Sequence, residues 1–266
     1  MPSTSRRLAF STLGCSGMPL HDVAALALRT GWRGVELRSA PDEPVHAGLS
    51  EAGRQAALDA LDGVAILCVA SYVKIASGQL DDEQCVADLL AEAGLAADLG
   101  ARAVRVFPGG DDEQADARAI GRLRAAAPRL PSGVEIWLET HDSHPRGEDL
   151  RRVLSQVQDA RVRAIWDVRH PWAAGEPVAG TARALAPWLA HVQLKDSADA
   201  ADRTPLLLGT GTVPLREILH TLEAVGYDGW YSLEWERKWH PGIAPVAEAL
   251  IAGRDWLDTV DAAATP

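Results

Sequence analysis

Eight short apolar runs at a mean spacing of about 33 residues, amphipathic segments between them, and glycines where those segments end predict a single α/β domain over residues 1–266, folded as a (β/α)8 TIM barrel. The runs are residues 8–13, 34–37, 64–69, 103–107, 134–138, 162–166, 190–194 and 230–233. They are continuous rather than alternating, as parallel strands covered on both faces require. Between them, residues 21–30, 49–61, 82–99, 115–127, 149–159 and 215–225 carry apolar side chains at threes and fours, the helical period. Gly31, Gly63, Gly100 and Gly226 fall just past such segments, where a left-handed C-cap is expected. No Gly-x-Gly-x-x-Gly turn follows the first strand, which counts against an open doubly wound sheet, and no linker or low-complexity tract divides the chain.

Composition narrows the function classes. With 47% hydrophobic and 24% charged residues the chain has the make-up of a globular enzyme. Three scattered cysteines, Cys15, Cys68 and Cys85, make neither a disulfide scaffold nor a Cys-rich zinc module, and they fit a reducing compartment. A net charge of −11 counts against a nucleic-acid partner. The longest strongly apolar stretch, residues 64–73, falls short of the ~20 residues that span a bilayer. The apolar segment after Arg6-Arg7 is too short for the core of a signal peptide. The expectation is a cytoplasmic protein that binds neither nucleic acid nor membrane.

In such a barrel, chemistry sits where strands run out into the following loops. Four successive runs present an oxygen ligand there: Glu139, Asp167, Gln193 and Glu234. Neighbouring strands lie ~4.8 Å apart, so four such side chains can meet at one point inside the mouth. Three carboxylates that close repel strongly unless a cation sits among them, which makes a divalent metal the economical expectation. An all-oxygen set favours Mn²⁺ or Mg²⁺ over Zn²⁺.

The motifs Gly34-Val35-Glu36-Leu37-Arg38, Leu138-Glu139-Thr140-His141, Asp167-Val168-Arg169-His170-Pro171 and Gln193-Leu194-Lys195-Asp196 appear in order along the chain. They are followed by Gly209-Thr210-Gly211-Thr212-Val213-Pro214 and by a Gly-Tyr-Asp-Gly-Trp-Tyr-Ser-Leu-Glu segment from Gly226 to Glu234. On these pieces the chain resembles the xylose isomerase-like TIM-barrel superfamily over nearly its whole length. The resemblance implies metal ligands at Glu139, Asp167 and Glu234. The commonest family pattern has His where this chain has Gln193, and in that respect the chain is similar to the hydroxypyruvate isomerase-like branch. His191, one pleat deeper on the same strand face, is the alternative ligand. The resemblance further implies that His170 contacts the substrate or a second metal, that Glu36 lies in the pocket, and that the chain forms homo-oligomers. It implies a small-molecule substrate: a sugar, polyol or keto acid.

The leading expectation is therefore a metal-dependent isomerase or epimerase of a small sugar or hydroxy-keto compound, working through enediolate proton transfer. Glu139 and Glu234 would act as general base and acid, Asp167 and Gln193 would complete the metal cage, and His170 would hydrogen-bond a substrate oxygen. The same apparatus can expel water, so a dehydratase of the inosose or dehydroshikimate type is the runner-up, and a non-catalytic ligand-binding relative is a third reading. Endonuclease IV shares the fold but needs histidines on strands three and four, and residues 68–72 and 106–109 contain none. Lys195 and Asp196 either face the site or form an ion pair at the rim. His141 is a candidate donor that orients Glu139. Trp172, Trp235 and Trp239 are either substrate walls or core. Arg169, Arg237 and Lys238 are either anion holders or rim charges. Gly209 and Gly211 shape the exit from strand seven, and Cys15, Ser71 and Tyr72 stand where specificity is set.

Overall fold

The computed structural model of the chain describes residues 6–110 and 112–263, so the first five residues of the N-terminal segment weighed above lie outside it. Eight strands close into a barrel in sequence order. They are β1 (Arg7–Ser11), β2 (Gly34–Arg38), β3 (Ala65–Lys74), β4 (Ala103–Phe107), β5 (Glu135–Glu139), β6 (Val162–Asp167), β7 (Leu189–Leu194) and β8 (Trp230–Leu233). Every neighbouring pair is parallel, and β1 closes onto β8 with Arg7 beside Trp230 and Phe10 beside Leu233. The helices are α1 (Leu20–Thr30), α2 (Glu51–Ala60), α3 (Asp82–Asp98), α4 (Ala115–Ala126), α5 (Gly147–Val157), α6 (Arg169–Ala173), α7 (Val178–Leu185), α8 (Leu215–Ala224) and α9 (Val246–Ala263). No helix among the described residues is long and apolar enough to cross a membrane.

Side chains alternate along a strand, so each strand sends one set outward and one into the barrel. The outward set, including Val104, Val106, Ile136, Leu138, Val192 and Leu194, merges with the apolar faces of the helices into one continuous core. Each such buried aliphatic contributes roughly 1.5–3 kcal/mol. The inward set forms a small separate cluster of Cys68, Ala70, Ala103, Trp137 and Ile165. Polar side chains fill the rest of the barrel interior and its mouth.

Local sequence explains where the elements begin and end. Asp81 caps α3 by accepting from the Gln84 amide at 2.8 Å, and Ser50 caps α2 through Gly53. Gly31 ends α1 in the left-handed conformation with φ 78°. The first apolar run is longer than its strand because Thr12–Cys15 turn into a 3-10 helix. The third strand runs past its apolar run as far as Lys74. The buried Arg122 of α4 donates to the carbonyls of Ile75, Ser77 and Leu80 and to Asp82, fixing the β3–α3 loop. Trp32 donates to the Leu250 carbonyl at 2.9 Å and ties α9 to the start of the barrel.

Candidate active site

The site is built from inward-facing residues at the C-terminal ends of β4 to β8. Glu139, Asp167 and Glu234 are 1%, 0% and 5% exposed, and each offers an oxygen within 4.8 Å of the others. Thr140 braces Asp167 from the neighbouring strand tip: its hydroxyl accepts from the Asp167 amide at 3.0 Å and donates to the Asp167 carbonyl at 3.2 Å. Gln193, the register partner of Asp167 across β6 and β7, leaves the same face beside it. The four residues expected at the strand tips thus share the barrel mouth, although the amide of Gln193 is engaged by Glu36 at 2.9 Å.

Two cations balance this charge. Lys195 Nζ lies 2.6 Å from Asp167 Oδ2 and 2.6 Å from Glu236 Oε1, and it also pairs with Glu234. Arg105, on β4, places Nε 3.4 Å from Glu139 Oε2 and its guanidinium 3.8 Å above the Phe107 ring. Sequence reasoning left Lys195 open and overlooked Arg105. Its signal was an arginine in the middle of an otherwise apolar strand.

Burial dominates the acid–base properties. It pushes Glu139 well above the ordinary carboxylate range; Arg105 opposes the shift, while Glu234 and Asp167 add to it. Burial likewise raises Glu234 to about 7, with Lys195 opposing and Asp167 and Glu236 reinforcing. For Lys195 burial favours the neutral amine, but Asp167, Glu234 and Glu236 outweigh it and hold the ammonium well above its usual range. Both oxygens of Glu139 and Oε1 of Gln193 are buried and accept no hydrogen bond from the described residues. Unsatisfied oxygens converging with carboxylates are a donor set able to hold a divalent cation.

The mouth opens into a cavity of about 270 Å³ lined in part by His141, His170, Lys195, Glu236 and Trp239. His170 Nε2 is 3.5 Å from Asp167 Oδ2. Burial, then His141 and Lys195, push its imidazole well below the usual range, so it is neutral at pH 7. The His141 ring lies 4.2 Å from Phe107 at an interplanar angle of 35° and 4.5 Å from His170 at 57°, a tilted stack. Its Nδ1 lies 2.9 Å from Asp142 Oδ1, and no hydrogen bond runs from it to Glu139. His141 and His170 also offer nitrogens that meet Glu139 within 4.8 Å, a second group of ligand type.

The remaining candidates divide clearly. Glu36 lies inside the barrel, and His191 is beside it at 3.2 Å rather than among the upper carboxylates. Asp196 accepts from the amides of Ser197, Gly209, Gly211 and Val213 and organises the loop after β7. A Cβ on Gly211 would meet Asp196 Oδ1 at 2.2 Å, so the glycine is required there. Arg169 is buried and holds Ser197 and the carbonyls of Ala200 and Asp202. Lys238 bonds Ser16 and Asp42, and Arg237 is exposed and lines a separate cleft with Gly14 and Cys15. Trp235 is core, Trp172 packs against the core, and Trp239, 54% exposed, stands at the mouth. Tyr72 accepts from Arg38 Nε at 2.7 Å and packs edge-on to Phe107, whereas the Ser71 hydroxyl is spent on the Arg105 carbonyl.

Comparison with known proteins agrees with this architecture. A family model described as xylose isomerase-like TIM barrel matches residues 24–260. A fructoselysine 3-epimerase from Escherichia coli O157:H7 is 31% identical over 86 residues, 32% of this chain and 31% of that protein. A putative hydroxypyruvate isomerase from Streptomyces coelicolor is 31% identical over 109 residues, 40% of this chain and 34% of that protein. The matched segments thus span about a third of the length of these curated relatives. The crystal structure of a probable 3-DHS dehydratase from Bacillus anthracis superposes with a TM-score of 0.77 at 20% identity, covering 95% of this chain and 98% of the other.

Proposed function

We propose that this chain, which belongs to the xylose isomerase-like TIM barrel family, is a divalent-metal-dependent isomerase or epimerase of a small sugar or hydroxy-keto compound. The observation that carries the reading is the meeting of three buried carboxylates, Glu139, Asp167 and Glu234, within 4.8 Å of one another. Together with Gln193 Oε1 they are the residues that would hold Mn²⁺ or Mg²⁺. Such an ion, when bound, polarises a carbonyl and neutralises the negative charge left by removal of a neighbouring proton.

The chain's own residues supply the rest. Glu139 and Glu234 stand on β5 and just after β8, with β6 and β7 between them, so they address a substrate carbon from two sides. One takes the proton and the other returns it, the pair of acts that inverts a carbon or moves a carbonyl. Without a metal, burial holds Glu234 at about 7; a bound cation would favour its ionised form, in which it accepts the proton. Neutral His170 donates to or accepts from a substrate hydroxyl, and the His141 ring beside it lines the cavity.

Dehydration is the second reading, and Lys195 is the residue that favours it. An ammonium 2.6 Å from Asp167, at the edge of the cavity, is placed to hydrogen-bond a departing hydroxyl, with a protonated carboxyl of Glu139 or Glu234 as the proton source. The two reactions part in their products. Isomerisation or epimerisation exchanges a carbon-bound proton with solvent deuterium at constant mass otherwise, and dehydration yields a conjugated, ultraviolet-absorbing product.

The deciding experiment is metal analysis of the purified protein and of Glu234→Gln, followed by Mn²⁺ calorimetry and a deuterium-exchange screen of ketoses and hydroxy-keto acids. Near-stoichiometric metal in the wild type, lost or weakened at least tenfold in the variant, is expected. Absence of metal together with absence of Mn²⁺ affinity would sink both readings and leave a ligand-binding relative.

A further inference from the structure

Beneath the carboxylate cluster lies a second polar layer to which the proposed chemistry gives no task. Its centre is Glu36 of β2, 0% exposed inside the barrel. Ser232 donates to its Oε1, Gln193 Nε2 donates to its Oε2 at 2.9 Å, His191 Nε2 stands 3.2 Å from Oε1, and Cys68 Sγ lies 3.7 Å from Oε2. An ionised carboxylate has only acceptors to offer, so an amide that faces it must present its N–H. The orientation of the Gln193 amide is therefore dictated from below. Its Oε1 is left as the free end: buried, without a hydrogen bond from the described residues, on a strand position beside Asp167.

We propose that Glu36 is a positioning residue for the metal site, holding the Gln193 amide by its N–H so that the carbonyl oxygen is the atom offered to the cation. The inference rests on the reading that Glu139, Asp167, Gln193 and Glu234 hold a divalent ion. Turned over, the amide would aim two N–H donors at a cation and set its carbonyl against the Glu36 carboxylate, so both ends would be mismatched. A histidine at this position could ligate through either ring nitrogen. A glutamine has one competent end, and it therefore needs an acceptor behind it. The same contact biases the fourth ligand towards oxygen and hence towards hard cations.

A double-mutant cycle tests the assignment on the full chain, with Mn²⁺ affinity read by calorimetry and folding by thermal unfolding. Glu36→Leu is expected to weaken Mn²⁺ binding about ten- to hundredfold. Gln193→Ala is expected to do the same, and the double variant to bind no more weakly than Gln193→Ala alone. A purely structural role for Glu36 would lower the melting temperature while leaving Mn²⁺ affinity unchanged, or would weaken binding by the same factor in both backgrounds. Either result overturns the inference. If Glu36→Leu does not fold, Glu36→Gln keeps the volume but lets residue 36 face the amide by either of its own ends; non-additivity with Gln193→Ala is again expected, and additivity again overturns it. Failure of the wild type to bind Mn²⁺ removes the metal reading itself, whereas Mn²⁺ binding indifferent to residue 36 removes only this step.

Discussion

The ammonium of Lys195 neutralises the same oxygens that a divalent ion would take. It touches Asp167, Glu234 and Glu236, and of these Glu236 alone stands outside the proposed ligand set. Lysine and metal therefore compete for two carboxylates, and Glu236 is the partner left to the lysine when it yields. Lys195→Met removes a unit charge a few ångströms from the site, where one charge pair at an effective dielectric near 20 is worth about 4 kcal/mol before desolvation is subtracted. Mn²⁺ is expected to bind about tenfold tighter or more in this variant, with proton exchange into substrate reduced. Calorimetry checks the first, and unchanged affinity would mean that the ammonium and the metal do not share these oxygens. Residue-scale reasoning from the sequence reached the carboxylates because each one closes an apolar run. It did not reach the orientation of Gln193, because that is set by a residue 157 positions away across the barrel.

At the scale of elements, the long connection between β7 and α8 is held by Arg169, at Ser197, Ala200 and Asp202, and above all by Asp196. Asp196 accepts four backbone N–H groups, from Ser197, Gly209, Gly211 and Val213, at 2.9–3.2 Å. Each is a hydrogen bond to a charged acceptor in a buried place, so their joint loss is a large perturbation. Asp196→Ala is expected to destabilise the chain by about 3 kcal/mol in urea unfolding, and hydrogen exchange is expected to speed up in residues 197–213. A loss below about 0.5 kcal/mol would show that the loop is held by its other contacts. The strands were legible because a doubly covered strand must be continuously apolar, and all eight fall where the runs are. The helices α6 and α7 carried no comparable signal. Their five and eight residues are too short for a periodic pattern, and Pro171, Gly175 and Pro177 break what pattern there is. Arg105 escaped for a related reason: the apolar residues around it define the strand, and its own side chain points the other way, into the barrel.

For the whole molecule, the buried charges make stability depend on pH in two opposite senses. Burial tends to raise Glu36, but His191, Ser232 and Arg105 outweigh it and hold this carboxyl at about 2, so its stabilising contribution is complete above the ordinary carboxylate range and is lost as pH falls towards 2. Glu139 and Glu234 are raised, so between about pH 4.5 and 7 the folded chain keeps protons that the unfolded chain has released. More protons bound to the folded state means that stability falls as pH rises through this window. The metal-free protein is therefore expected to melt higher at pH 5.5 than at pH 8, and Glu234→Gln is expected to flatten that slope. A divalent ion acts on the other arm, because it binds only the ionised oxygens. At a hundredfold excess over its dissociation constant it adds about 2.7 kcal/mol at pH 8 and much less at pH 5.5. Calorimetric melting with chelator and with Mn²⁺ at the two pH values should thus show Mn²⁺ raising the melting temperature far more at pH 8 than at pH 5.5, which narrows the gap between them. A gap that Mn²⁺ leaves unchanged would mean that these carboxylates bind protons but no metal.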